Sequence, residues 1–353
     1  MLHQSEEPPL SNEQTIIADV RPPTPAGLLT LHANDFFPKH YLAIEHHRLY
    51  PLTIEAKPLF DRYIKFIQAP LSDYTFANNI IWLSQKSGFY QIIEDCFCLF
   101  SLNGNCLTML LPPLGEPARQ PAALAACFKI MDGYNPSPYL STVEYVYRDF
   151  ANVLEACGSE WLVERSLPDY IYRTDDLIQL KGNAYKTKRS EINQFRRTYP
   201  DHRMETLGPQ HWGGIRELIN TWLKNRIQYM TGEAIADFFY TVEQERQAVE
   251  RALQHYDTLG LQGLCLFIND RLEGFTFGER ITPDVANVLV EKTNFAIPGS
   301  AQYLFREFAK TFTDCTFINV GDDLGLENLR RVKMSYRPAL FGEKTTLRHN
   351  APL

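Results

Sequence analysis

The chain has 353 residues, of which 44% are hydrophobic and 22% are charged, and it carries a formal net charge of −7. This length exceeds what one hydrophobic core usually fills, so a globular protein with two domains is expected. No apolar run approaches the roughly 18 to 20 residues that span a bilayer. The N-terminal stretch MLHQSEEPPLSNEQ also lacks the basic start and apolar core of a signal peptide, which predicts a cytoplasmic protein.

The seven cysteines are scattered along the chain and form no C-x-x-C pair. No histidine or acidic residue is clustered near them at the spacing of metal ligands. The neighbouring His46 and His47 likewise have no partner at ligand spacing. We therefore expect small core cysteines in a reducing compartment, and no metal site.

The first part of the chain divides by composition. Residues 1–35 contain five prolines and little periodic apolarity, which predicts a flexible leader. Residues 36–160 are expected to form an N-terminal domain, and its predicted elements are a helix at 57–69, an antiparallel meander over 89–111 and helices at 122–131 and 145–156. Because this region is poor in candidate acids and bases, we expect it to be a scaffold that forms one wall of a cleft.

Residues 161–350 are predicted to form a second domain, which starts with a strand at Tyr170–Tyr172 and a strongly basic helix. Between Lys181 and Arg203 there are seven basic and two acidic side chains, a local charge of +5. The candidates for binding phosphate on this helix are Lys186, Lys188, Arg189, Arg196 and Arg197. An anionic ligand is one interpretation of this reversal of sign, and a solvated charged face is the other.

The rest of the second domain alternates helices and strands. Two helices at 211–226 and 233–256 precede three strands at 263–268, 272–278 and 287–293. A helix at 301–311 and a strand at 316–320 follow. This order predicts an α+β fold.

Several stretches also match known motifs. They are SDYTFANNIIW from residue 72, LPPLG from 111, DYIYRTDDLIQLKGNAYKTKRSEINQF from 169, VEKTNFAIPG from 290 and INVGDDLGLENLRRVKMSYRP from 318. Over roughly residues 51–338, and in the right order, the chain resembles the family that shares the C-terminal synthase domain of phosphatidylglycerol lysyltransferases. The resemblance implies tandem GNAT-type acyltransferase domains, the second holding the active site. It also implies aminoacyl-tRNA as the donor substrate, as in Fem-type peptidyltransferases, and hence no bound cofactor.

One loop bears on an alternative donor. GNAT enzymes that use CoA resemble one another in a glycine-rich loop whose backbone N–H groups bind pyrophosphate at the start of a helix. Residues 296–301 keep the glycine of that loop, Gly299, and its final alanine. They lack the leading glutamine or arginine, and Pro298 removes a donor. The partial match weakens a CoA thioester as donor without excluding it.

The candidate catalytic residues lie at the end of the second sheet. Glu291 and Lys292 are neighbours at the end of a predicted strand, so their side chains point to opposite faces of the sheet. One of them faces the cleft, where its pKa can be shifted, and the sequence does not show which one. Asp322 or Asp323 is expected to cap a helix that buries Leu326, Leu329 and Val332 and presents a basic stripe to anionic groups. That stripe is formed by Arg330, Lys333 and Arg337, and Tyr336 lies beside it as a possible proton donor.

These features together predict a GNAT-type aminoacyltransferase that moves an amino acid from aminoacyl-tRNA to an amine or hydroxyl acceptor. The catalytic candidates are Glu291, Asp323, Lys333 and Tyr336, with Lys333 stabilising the oxyanion. The acceptor is a small molecule, a peptide or a lipid headgroup. Two alternatives are a CoA-dependent N-acyltransferase and a catalytically silent binding protein of the same fold.

Overall fold

The described part of the chain folds around two mixed β-sheets, one of eight and one of seven strands. The computed structural model describes residues 41–83, 87–150, 154, 161–227 and 234–349, and only the backbone of residues 225–227, 234–241 and 349. The flexible leader predicted for residues 1–35 lies outside the described residues and stays a prediction.

The elements follow one another in two series. Up to residue 147 they are β1 (Leu42–Ile44), β2 (His47–Pro51), α1 (Lys57–Ile64), α2 (Phe76–Trp82), β3 (Gly88–Ile93), β4 (Cys96–Asn103), β5 (Cys106–Met109), α3 (Gln120–Tyr134) and β6 (Thr142–Tyr147). From residue 161 they are β7 (Trp161–Arg165), β8 (Asp169–Arg173), α4 (Thr174–Gln179), α5 (Lys186–Thr198), β9 (Arg203–Thr206), α6 (Trp212–Ile227), α7 (Ala234–Gln254), α8 (Tyr256–Leu259), β10 (Gln262–Ile268), β11 (Arg271–Thr282), β12 (Val285–Thr293), α9 (Ser300–Ala309), β13 (Phe317–Asn319), α10 (Glu327–Met334), β14 (Leu340–Gly342) and β15 (Lys344–His349).

The two sheets contain the same motif. The strand orders are β1-β2-β3-β4-β5-β6-β15-β7 and β14-β8-β13-β12-β11-β10-β9. In each sheet, three antiparallel strands are followed by a helix and by a strand parallel to the third: β3–β5, α3 and β6 in the first, β10–β12, α9 and β13 in the second. The predicted α+β, tandem GNAT-like fold is therefore confirmed.

The strands that complete the first sheet come from the other end of the chain. β15 pairs with β6 on one side and with β7 on the other, although β7 and β15 both follow the predicted domain limit at residue 160. The limits 36–160 and 161–350 stay a prediction, and the sheets show that residues 161–165 and 344–349 pair within the N-terminal sheet.

Both halves share one hydrophobic core. A single cluster of buried side chains includes Phe60 and Phe97 from the first half and Phe275 and Phe277 from the second. In the same region the Arg251 guanidinium on α7 donates a hydrogen bond of 2.7 Å to the carbonyl oxygen of Ile81, on α2. Helix α2 of the first half thus packs against α7 of the second half. The first half thereby forms one wall of the cavity beside the second sheet.

Two predictions for local structure are wrong. Of the helix predicted at 145–156, residues 145–147 belong instead to strand β6, because their backbone pairs with β15, about two hundred residues further along the chain, while residues 148–150 and 154 are helical. Helix α10 has no buried residue: Leu326 is 50% and Val332 53% exposed. Neither aspartate caps this eight-residue helix, whose N-cap position is Leu326.

Candidate functional site

A cavity of about 570 Å³ lies between the two halves of the chain. Strands β12 and β13 pair only over residues 285–287 and 317–319, while β12 continues to Thr293, so the second sheet splits at this point. The cavity wall includes Asp73, Asn79, Tyr145, Glu245, Asn287, Leu289, Asp322, Leu324, Leu329 and Lys333. Because open sheets gather ligands where neighbouring strands part, this cavity is the candidate active site.

A buried lysine lies close to two carboxylates of the cavity wall, those of Asp73 and Asp322. The Lys344 ammonium lies 2.7 Å from Asp73 Oδ2, 2.8 Å from Asp169 Oδ1 and 3.6 Å from Asp322 Oδ2. Its side chain is 1% exposed, and the four residues come from four separate parts of the chain. Three carboxylates around one ammonium leave an excess of negative charge here.

The pKa values of this cluster follow from burial and from charge. Burial lowers the pKa of Lys344, but the adjacent Asp73 and Asp169 carboxylates outweigh it, and the net pKa is raised. Burial raises the pKa of Asp73, and the neighbouring Asp169 adds to this, despite the attraction of Lys344. Lys344 is therefore charged at neutral pH, and Asp73 is a stronger base than an exposed aspartate.

Lys333 lines the cavity as the sequence predicts, but its donors are occupied. Its ammonium donates hydrogen bonds to the carbonyl oxygens of Val320 at 2.6 Å, of Gly321 at 3.1 Å and of Asp322. Burial lowers the pKa of Lys333 to about 8, although the nearby aspartates oppose this. Lys333 thus fixes the loop after β13 and brings one positive charge to the cavity wall.

Asp323 and Arg330 form an ion pair beside that loop. Asp323 Oδ2 accepts hydrogen bonds from the Tyr170 hydroxyl at 2.7 Å and from Arg330 Nε at 2.9 Å. These bonds, the Tyr170 one first, lower the pKa of Asp323. Neither residue lines the cavity. Both side chains already take part in hydrogen bonds within the protein. The catalytic role of Asp323 and the phosphate contact of Arg330 stay predictions.

Glu291 and Lys292 point to opposite faces of β12. Lys292 Nζ lies 2.8 Å from Glu245 Oε2 and 3.7 Å from the centre of the Trp222 ring. Glu291 faces the other way, and its Oε2 atom is shielded from solvent with no hydrogen-bond partner among the described residues. Burial raises the pKa of Glu291 to about 8. Neither residue is part of the cavity wall, so Glu291 lies outside the cavity that Lys333 lines.

Glu291 belongs instead to a second cluster, with Tyr336 and the start of the basic helix. Tyr336 is buried, and burial followed by the charges of Glu291 and Glu191 raises its pKa well above the usual value. The Lys188 ammonium lies 4.5 Å from the centre of the Tyr336 ring and 3.9 Å from Glu191 Oε2. The Lys188 ammonium therefore contacts groups within the protein, and its side chain is buried.

The basic helix α5 presents fewer cations than its sequence suggests. Arg189 donates hydrogen bonds to the carbonyl oxygens of Leu180 and Gly182, which close the turn between α4 and α5. Lys186, Arg196 and Arg197 are exposed. Phosphate binding by this helix stays a prediction, and these three residues are the ones whose charges are presented to solvent.

Gly299 is explained by packing. It adopts φ of 82° before α9, and a Cβ atom there would lie 2.5 Å from the Glu191 carbonyl oxygen and 3.0 Å from Phe195 Cβ. Helix α5 thus covers the segment that corresponds to the CoA pyrophosphate loop. The close approach requires a glycine without any ligand.

Lys333 is the predicted site residue that lines the cavity, whereas Asp73, Asn287 and the adjoining Lys344 are not among the predicted site residues. Asp73 lies in the motif SDYTFANNIIW just before helix α2, but Thr75 caps that helix, since its Oγ1 accepts the hydrogen bond from the Asn78 N–H. Asn287 carries a signal, because it is a polar residue in an apolar strand. No local pattern marks Lys344, whose partner Asp73 lies 271 residues away.

The raised pKa of Glu291 predicts a pH effect on stability. Its usual pKa of 4.5 is raised to about 8 in the folded state, so the folded protein holds a proton that the unfolded chain has lost between these values. Stability then falls as pH rises through this window, and Glu291→Gln removes the loss. We expect melting curves at pH 5, 7 and 8.5 to show a growing advantage of the variant over the parent, with about 1–2 °C for each kcal/mol in a chain of 353 residues.

The matched control is Glu327→Gln, which changes an exposed glutamate on α10. Its melting temperature should follow that of the parent at all three pH values. An equal difference between Glu291→Gln and the parent at every pH would contradict a buried, protonated Glu291.

The comparison with protein families gives one match over most of the chain. The family described as "Phosphatidylglycerol lysyltransferase, C-terminal" matches residues 64–345. No curated protein matches the chain. Among the helices of the described residues, none is both long and apolar enough to cross a membrane.

Solved structures agree with the family match. A conserved protein of unknown function from Bacteroides thetaiotaomicron VPI-5482 has a TM-score of 0.74 at 26% identity, covering 86% of this chain and 99% of that one. The C-terminal domain of a putative lysylphosphatidylglycerol synthetase from Agrobacterium fabrum has a TM-score of 0.61 at 12% identity, covering 85% and 93%. L-PGS from Bacillus licheniformis has a TM-score of 0.59 at 12% identity, covering 84% and 93%. These two likenesses at 12% identity concern the fold alone. Since the family match covers residues 64–345 of the 353-residue chain, the protein belongs to the phosphatidylglycerol lysyltransferase C-terminal family.

Proposed function

We propose that this protein transfers an amino acid from aminoacyl-tRNA to an amine or hydroxyl acceptor in the cytoplasm. The family and the fold indicate a GNAT-type acyltransferase. The donor and the acceptor are the proposed part, and the observation that carries them is the charge of the cavity.

The cavity suits a cationic acyl group. Asp73, Asp169 and Asp322 face the ammonium groups of Lys344 and Lys333, which leaves one negative charge in excess. The nearby Glu245 and Lys292 form a neutral pair. An aminoacyl ester carries an α-ammonium group that this excess charge attracts, whereas an acyl-CoA thioester carries several negative charges.

The two possible phosphate sites also favour tRNA over CoA. Helix α5 covers Gly299, where CoA pyrophosphate would bind in GNAT enzymes. The exposed Lys186, Arg196 and Arg197 offer cations to the phosphates of a larger polyanion. A net charge of −7 on the whole chain does not oppose this, because phosphate contacts depend on the local patch.

The chemistry needs a base, a bound carbonyl and a leaving hydroxyl. The acceptor nitrogen or oxygen attacks the ester carbonyl, the ester C–O bond breaks, and the ribose hydroxyl of tRNA leaves with a proton. Asp322 lines the cavity, and its Oδ2 atom, 3.6 Å from Lys344, can accept the proton of the acceptor. The charge of Lys333 stabilises the carbonyl oxygen as it becomes negative.

The acceptor follows from the family only as a class. The family name refers to phosphatidylglycerol, whose headgroup carries hydroxyls, and this makes a lipid headgroup one candidate. The cavity volume of about 570 Å³ also holds a small molecule or a peptide end. A thermal-shift screen of charged tRNAs against CoA thioesters decides the donor first, and a protein that binds neither is the silent alternative.

Charge reversal on α5 tests the tRNA contact. We expect the triple variant Lys186→Glu, Arg196→Glu and Arg197→Glu to bind charged and uncharged tRNA at least tenfold more weakly. Each lost phosphate contact should lower the slope of log affinity against log salt by about one. Filter binding between about 50 and 200 mM salt measures both effects.

The control triple variant is Arg62→Glu, Lys65→Glu and Lys129→Glu, which reverses three exposed cations in the N-terminal half. The same loss of affinity in both triples would indicate non-specific attraction only. Unchanged binding in the α5 triple would remove the tRNA contact from this helix.

A further inference from the structure

Asn287 is a buried polar residue without a partner. Its side chain is 1% exposed, and it lies on β12 in the wall of the cavity. Both polar atoms, Oδ1 and Nδ2, lack a hydrogen-bond partner among the described residues. A buried carboxamide with neither atom bonded is costly, so a group that enters the cavity is expected to bond to it.

The neighbouring buried asparagines show how unusual this is. Asn79, in the same cavity wall, donates to the carbonyl oxygens of Asp73 at 2.7 Å and Thr75 at 2.8 Å. Asn319 donates to the Pro70 carbonyl oxygen and to Asp169 Oδ2, and its Oδ1 accepts from the Gly321 N–H. The protein therefore satisfies the asparagines that support the site, whereas the Asn287 carboxamide in the cavity wall has no partner among the described residues.

The position of Asn287 in the sheet supports a role in binding. Its backbone pairs with Asn319 at the last register position shared by β12 and β13, where the sheet begins to split. On the other side, the register with β11 shifts between Val288 and Val290, so β12 bulges at Leu289, two residues from Asn287. Bulges beside a site re-aim a side chain, and here the carboxamide lies at the apex of the split.

We infer that Asn287 binds the aminoacyl group through two hydrogen bonds. Oδ1 accepts an N–H of the α-ammonium group, and Nδ2 donates to the carbonyl oxygen of the same ester. A carboxamide carries one acceptor and one donor side by side, and an α-aminoacyl ester presents the complementary donor and acceptor on neighbouring carbons. The acidic residues Asp73 and Asp322 in the same wall favour the ammonium charge.

This inference rests on the proposed aminoacyl donor and adds a specificity to it. A site built to bond an N–H group rejects an analogue that lacks the group, because its own acceptor is then left unpaired. Asn287 should therefore discriminate α-aminoacyl groups from simple acyl groups. The expected preference is about tenfold to a hundredfold.

The test uses the full chain and two amide-linked probes. One is 3′-deoxy-3′-(lysylamino)adenosine, and the other is the same molecule without the α-amino group. We expect the parent to bind the first at least tenfold more tightly in calorimetry. Asn287→Leu should bind both probes with the same weak affinity, and its melting temperature should be equal to that of the parent or higher, since an unpaired polar group has been removed.

Asn79→Leu is the matched control, because it removes a buried asparagine of the same wall whose bonds are satisfied. Its melting temperature should fall. If Asn287→Leu does not fold, Asn287→Ala replaces it in the binding assay. A variant of Asn287 that keeps the preference for the α-amino probe overturns the role of Asn287 alone. A parent that binds neither probe overturns the aminoacyl donor as well.

Discussion

Replacement of Lys344 by methionine is expected to lower the free energy of unfolding by about 3–5 kcal/mol, the cost of leaving buried charges without their partner. Lys344 is 1% exposed and lies within 2.8 Å of carboxylate oxygens of both Asp73 and Asp169. Without the ammonium, the carboxylates of Asp73, Asp169 and Asp322 repel one another in a buried place. Urea denaturation at pH 7 measures the loss.

The effect of Lys344→Met should depend on pH. In the variant, Asp73 loses the attraction of Lys344 that opposes the effect of its burial, so the pKa of Asp73 rises further above the unfolded value and the folded state takes up a proton as pH falls. The deficit should then be smaller at pH 5 than at pH 7. Lys310→Met is the control, since Lys310 is in an exposed ion pair with Glu307 at 2.7 Å and should change stability by less than about 1 kcal/mol. A deficit of similar size in both variants would show that the Lys344 cluster is not stabilising.

Replacement of Lys333 by methionine is expected to reduce transfer by about a hundredfold or more, the usual effect of losing an electrostatic group at a developing oxyanion. Three carbonyl oxygens of the loop at 320–322 lose their charged donor in this variant. A loss of stability of about 1–3 kcal/mol should accompany the loss of activity. Because the pKa of Lys333 is about 8, the activity of the parent should also fall as pH rises through that value.

Activity and melting curves of Lys333→Met should be measured beside Arg331→Met, which changes an exposed residue of the same helix. Full activity in Lys333→Met would remove Lys333 from the reaction, and a protein that fails to fold would make its role structural. Glu291→Gln belongs in the same assay. The catalytic role predicted for Glu291 requires a comparable loss of transfer, whereas its position outside the cavity wall requires none.

The order of elements could be read from the sequence because it depends on local patterns. The meander at β3–β5 and the strands β10–β12 follow from alternating side chains and turn residues, which act over a few positions. The order of the motifs along the chain then indicated the family and, through it, the fold. The strand β6 was missed, since what makes its residues a strand is β15.

The roles of the basic residues could not be read in this way. Lys188 and Arg189 look like their neighbours Lys186 and Arg196 on a charged helix. The structure shows that Lys188 lies over the Tyr336 ring and that Arg189 binds carbonyl oxygens of the preceding turn. Which charges remain for a ligand depends on what surrounds the helix, and composition does not contain this information.

The sequence by itself determined the family, the α+β fold class and the presence of Lys333 near the end of the second sheet, because each of these depends on residues close together in the chain. Only the tertiary structure decided that Glu291 lies outside the cavity that Lys333 lines, that Lys344 joins Asp73, Asp169 and Asp322, and that Asn287 has no hydrogen-bond partner among the described residues. The physical reason is that burial and charge pairing are set by the nearest neighbours in space, and for Lys344 and Asp73 those neighbours are 271 residues apart in sequence.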